Sequence, residues 1–125
     1  MTTDVLMLIS EGMAALDLNY AFIRWEGKTP DPYFVGEYQE YEPAAEDGLQ
    51  EADFILTGFT RGSWLELEEA KQKIENYFYK DGKVTIAPSG NAVVLSYANS
   101  YVIPTADAEL KKIEIHLNVK EWKVN

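Results

Sequence analysis

The side chains that could do chemistry are few. His116 is the single histidine, and histidine is the side chain whose ordinary pKa lies closest to neutrality. It sits on the polar phase of an alternating stretch, where a solvated or interface role is the simplest reading. One histidine without cysteine cannot build a zinc site of common composition. It could pair with a carboxylate for acid–base work, but no sequence neighbour marks that role. Carboxylates are plentiful, at 21 Asp and Glu. Counting alone leaves a two-metal or glycosidase pair open, yet no spacing singles one out. Gly58-Phe59-Thr60-Arg61-Gly62-Ser63 is glycine-flanked like a phosphate loop but lacks the Gly-Lys-Ser/Thr ending. A helix starting at Ser63 could hold an anion with Arg61 assisting; a plain loop with a helix cap is the simpler reading. Ser89, between Pro88 and Gly90, reads as a turn residue with no nucleophile-elbow context. No catalytic, cofactor-binding or metal-ligating residue is therefore assigned, no cofactor is expected, and weight moves from an enzyme to an interaction or assembly protein.

Composition narrows the partners. The chain has 125 residues, enough for one domain spanning 1–125. Its 11 Lys and Arg against 21 Asp and Glu leave a net charge of -10. That argues against a nucleic-acid backbone or an anionic membrane as partner, since both require positive charge. A basic protein remains open. Without cysteine there is no disulfide framework and no thiolate chemistry. Val5-Leu6-Met7-Leu8-Ile9 is short and preceded by Asp4, so it reads as neither signal peptide nor membrane span. Eight Tyr and three Trp suit an interface, although they could equally fill a sheet core.

The elements that must position these groups centre on residues 53–78. Asp53 to Phe59 is a strand, with Phe54 and Leu56 on one face and Ile55, Thr57 and Phe59 on the other. A strand apolar on both faces belongs inside a sheet. Arg61-Gly62 breaks it, and Ser63 with Glu66 forms a capping box. Leu67, Ala70, Ile74, Tyr77 and Phe78 then mark the buried stripe of a helix, with Glu69–Lys73 and Lys71–Glu75 pairs at its surface. Upstream, residues 3–17 read as a short helix capped by Thr3, weakened in the middle by Gly12. Residues 20–26 read as a strand, 27–32 as a proline-marked turn, 33–41 as a partly exposed strand and 42–52 as a loop. From Asp31 to Asp53 eight acidic residues occur without a basic one, a solvated face or an acidic patch for a basic neighbour. Downstream, 83–87 and 92–97 are strands, 98–100 interrupts and 101–103 resumes. Residues 112–120 alternate most clearly of all, and a bulge near Lys120-Glu121 or a new packing partner would bring Trp122 and Val124 into phase. The order predicts a single α+β domain. Its sheet would be mostly antiparallel or mixed, with two helices packed on one face and successive hairpins as the simplest topology.

That order of parts resembles the tail-terminator, or tail-completion, proteins of long-tailed bacteriophages and prophages. The matching stretches are Pro32-Tyr33-Phe34-Val35, Ala52 to Phe59, the helix Ser63 to Ala70 and the closing strand Lys112 to Val119. Small neck and head-completion proteins are of similar size. The resemblance implies a virion protein of the tail, assembled in the bacterial host cytoplasm. It would form a homo-oligomeric ring, commonly a hexamer, that caps the tail tube and faces the head–tail connector. Such a ring needs two different faces that close by rotation, and charged axial surfaces that refuse further stacking. Its partners would be itself, the tail-tube protein and the connector protein, with no specific nucleic-acid binding and no membrane. Candidate contacts are Tyr38, Tyr41, Glu42, Glu46, Asp47, Glu51, Arg61 and His116. The loop 42–51 would be a contact or lumen loop, and an acidic lumen would let DNA slide without sticking. The competing expectation is a small acidic protein-binding module without catalytic activity.

Overall fold

A computed structural model describes residues 1–41, 48–79 and 82–124. The chain runs α1 (Thr3–Ala15), β1 (Asn19–Phe22), β2 (Tyr33–Glu40), β3 (Leu49–Thr60), α2 (Trp64–Tyr77), β4 (Lys83–Ile86), β5 (Ala92–Ile103) and β6 (Lys111–Trp122). Among the described residues, six strands form one mixed sheet, ordered β1-β2-β3-β6-β5-β4 and curled into a half-barrel. The α+β class is as expected; the run of successive hairpins is not. β1 lies parallel to β2, with Asn19 opposite Tyr33 and Phe22 opposite Gly36. It also stops early, at Phe22 rather than Glu26, because Ile23 takes a positive φ of 72° and turns its N–H to the Gly36 carbonyl. β3 pairs with β6 rather than with the strand that follows it. α2 intervenes, so β4 takes the far edge and β5 and β6 fill back toward β3.

β3 is internal, as its apolar faces require, and longer than expected. It begins at Leu49, so residues 49–52 belong to the strand and not to a loop. Its even positions Ala52, Phe54, Leu56 and Gly58 face the core beside Val119, Leu117, Ile115 and Ile113 of β6. Both helices bury their stripes on this same face. Val5, Ile9 and Met13 of α1 join Leu67, Ala70 and Ile74 of α2 and the core-facing strand residues in one cluster. Gly12, the apparent flaw in α1, is a point of close approach: a Cβ there would lie 2.8 Å from both the Phe78 and Tyr77 rings. Two further glycines admit rings on the sheet. A Cβ at Gly58 would meet Phe34 at 2.5 Å, and one at Gly36 would meet Phe54 at 2.6 Å.

The caps and ion pairs differ in detail. Ser63 Oγ accepts the Glu66 N–H at 3.3 Å, as a helix start needs. The N-cap of α1 is Thr2, not Thr3, and its hydroxyl is turned away from the helix amides. It donates instead to Glu121 at 2.6 Å. On α2, Lys71 pairs with Glu68 at 3.4 Å. β6 carries no bulge at Lys120-Glu121; its register with β3 is continuous from Trp122 to Lys111. Glu121 instead occupies a core position, 1 % exposed. The irregularity is in β5, between Tyr97 and Asn99, so the expected interruption at 98–100 is a bulge inside one long strand.

Candidate functional site

The sheet face turned away from the helices gathers the titratable groups. His116 of β6 lies opposite Ile55 of β3 and Asn99 of β5. Its Nδ1 is 2.8 Å from Asp53 Oδ2, a diagonal contact to β3. Its Nε2 is 2.7 Å from Oε1 of Glu114, two residues earlier on its own strand. Tyr101 of β5 places its hydroxyl 2.9 Å from the same Nε2 and 3.3 Å from Glu114 Oε1. The Tyr101 ring stands 5.4 Å from the imidazole, tilted by 30°. The His116 side chain is 15 % exposed, so these bonds form in a partly dried environment. That burial pulls the imidazole pKa down, but hydrogen bonds to Asp53 and Glu114 and their charges outweigh it, and the net shift is upward.

Chemically the cluster is a clamped imidazole. Asp53, His116 and Tyr101 are linked like an acid–base relay. Both imidazole nitrogens are engaged by carboxylates, so neither is free for a metal, and among the described residues no three His, Asp or Glu converge as metal ligands. Two clefts lie away from this cluster. One of about 370 Å³ between the helices and the β4–β5 side is lined by Leu8, Tyr77, Phe78, Tyr79, Val93 and Leu95, with Asn76 and Thr85. A shallower one of about 400 Å³ runs along the outer face under residues 23–29. There Trp25 packs on Tyr33 at 5.7 Å, Tyr33 stacks on Phe59 at 5.1 Å, and Lys112 Nζ sits 5.6 Å from the Phe59 ring centre.

The other described contact candidates do not form one site. Glu51 lies on the outer face with Lys120 Nζ at 3.9 Å. Arg61 is at the opposite end of β3, roughly 33 Å away at strand rise. Its guanidinium donates to Asp107 at 2.9 Å, so this arginine is already paired with a carboxylate. The Glu109 backbone N–H and then Arg61 hold the Asp107 carboxyl below the usual range. Tyr38 is on the helix-side phase, beyond the helices, stacked on Phe22 at 6.1 Å. Tyr41, just past β2, is exposed, and its N–H donates to the Glu51 carbonyl. Glu42, Glu46 and Asp47 lie outside the described residues. Of the five described candidates, only His116 is in a cluster of titratable groups. Asp53, Glu114 and Tyr101 were missed. Glu114 carries a usable signal, since i and i+2 share a strand face; Asp53 and Tyr101 need the register.

No family model and no curated protein matches the chain. Among solved structures, its fold is similar to that of a chain in the virion of a native gene transfer agent particle. The identity is 12 % and the TM-score 0.65, over 89 % of this chain and 84 % of that one. The likeness is one of fold, and it extends over nearly the whole of both chains.

Proposed function

We propose that the chain is a structural subunit of a virion, and specifically a tail terminator. As a ring, most simply a hexamer, it would cap the tail tube and form the tail side of the head–tail junction. The observation that carries the virion reading is the fold shared with a virion chain over 89 % of the length. The terminator reading adds the order of elements that resembles that family, built here on a β3–α2 unit from Leu49 to Tyr77. The chain's work would then be done through surfaces offered to neighbours, the tail-tube protein below and the connector above. Tyr38 and Tyr41, both exposed next to the acidic stretch, are the proposed contacts at the β2–β3 end. Ring closure needs such patches to meet a different surface on the next copy.

The test is to mix the purified chain with tail-tube protein from the same gene cluster and examine the product by light scattering and negative-stain imaging. Tubes of limited length ending in a ring of this chain are expected. Tyr38→Ala with Tyr41→Ala should weaken ring formation while leaving the monomer folded. A monomer that neither binds nor caps tubes at high concentration would overturn the terminator role and favour the acidic binding module.

A further inference from the structure

We propose that Asp53, His116, Glu114 and Tyr101 form a proton-operated catch on the outer sheet face: the doubly protonated imidazole ties β3 to β6 and holds Glu114, and loss of its proton passes Nε2 to Tyr101 and releases Glu114. The inference does not depend on the virion reading. A neutral imidazole has one N–H and one bare nitrogen, whereas an ionised carboxylate only accepts. Here carboxylates stand against both nitrogens, at 2.8 Å and 2.7 Å. Only the imidazolium matches both. In that state Nδ1–H donates to Asp53, Nε2–H donates to Glu114, and the Tyr101 hydroxyl can donate to Glu114 as well. When Nε2 loses its proton, it becomes an acceptor 2.9 Å from the Tyr101 hydroxyl. Tyr101 then donates to nitrogen, and Glu114 has lost both donors.

Among the described residues, no cation stands against the ring. Facing the ring are Asp53 from β3, Glu114 and Asn118 from β6, and Asn99 and Tyr101 from β5, with Glu37 of β2 in the same row beyond Ile55. Lys112 and Lys120 are each four residues along β6, roughly 13 Å away. One sits over Phe59 and the other by Glu51. The charge of the three coupled groups Asp53, His116 and Glu114 thus goes from one net negative to two. The upward pKa direction agrees with this geometry. Its sign fixes the pH window: stability from the cluster is complete below the unfolded histidine value of about 6.5 and is lost as pH rises through the folded value.

Because His116 is the only histidine, its ring can be titrated without ambiguity by ¹³C and ¹⁵N NMR on the wild-type chain. The expected midpoint lies above about 6.5. On the alkaline side the ¹⁵N shifts should report the Nδ1–H tautomer, with Nε2 bare. Asp53→Asn and Glu114→Gln should each lower the midpoint. Thermal unfolding from pH 5 to 9 should show a fall through the same midpoint that His116→Gln lacks. A wild-type midpoint at or below about 6.5, or an Nε2–H neutral tautomer, overturns the catch without need of any variant.

Discussion

Gly58 offers a sharp test of how the core of this sheet is built. Its φ is not in the left-handed region, so its backbone would accept alanine. What forbids a side chain is Phe34, opposite it across the β2–β3 ladder. A Cβ would lie 2.5 Å from Phe34 Cε1, 3.0 Å from Cδ1 and 3.0 Å from Ile113 Cγ2, against about 3.5–4.0 Å for comfortable carbon contacts. Two effects oppose each other in Gly58→Ala. Alanine reduces the entropy of the unfolded chain and stabilises by about 0.4–1 kcal/mol. Overpacking a filled core costs about 1–3 kcal/mol. The clash is with a fully buried ring at distances well inside van der Waals contact, so the second effect wins, and a net loss of about 1–2 kcal/mol follows. For a chain of this size that lowers the thermal midpoint by roughly 3–8 °C. A double-mutant cycle with Phe34→Leu isolates the cause. With a smaller partner, Gly58→Ala should lose less, giving a coupling of at least about 0.5 kcal/mol. Thermal unfolding followed by circular dichroism reads all four corners. Additive losses, or an alanine variant as stable as wild type, would refute the idea that this glycine exists to admit the Phe34 ring.

Two other perturbations separate buried from exposed polar contacts. Glu121→Ala leaves the Thr2 hydroxyl and the Asn91 amide without their shared acceptor. It should cost about 2–4 kcal/mol, while Glu121→Gln, which keeps an acceptor oxygen, should cost less; equal midpoints for the two variants would count against the hydrogen-bond account. Ser63→Ala removes the cap of α2 and should cost about 0.5–2 kcal/mol, toward the low end because the site is exposed and the bond is long. Chemical denaturation measures both against wild type.

The legible parts of the fold were those with strong periodicity. The α2 stripe through Leu67, Ala70 and Ile74, the two-sided apolar strand at Phe54 to Phe59 and the alternation of Ile113 to Val119 all appear where expected. What misled was local exception. Gly12 looked like a weakness and is a packing contact made by residues more than 60 positions away. Glu121 looked like a break in phase, because a carboxylate in a core position is legible only with its partners Thr2 and Asn91 in view. The early end of β1 rests on one positive φ at Ile23, a position where a β-branched residue gives no warning. Arg61 read as an open cation because Asp107 is 46 residues away.

By itself the sequence determined the class of the chain: two amphipathic helices, alternating strands, a strongly acidic balance and no cysteine. These follow from residue type and spacing, which act over a few positions. Strand order, the parallel β1–β2 pair and the meeting of Asp53, Glu114, Tyr101 and His116 were decided only in three dimensions. A sheet face is assembled by register between distant segments, and a one-residue slip would move each of these side chains to the other face. His116 was visible from the start; which protons it can hold depended on neighbours that only the folded sheet brings to it.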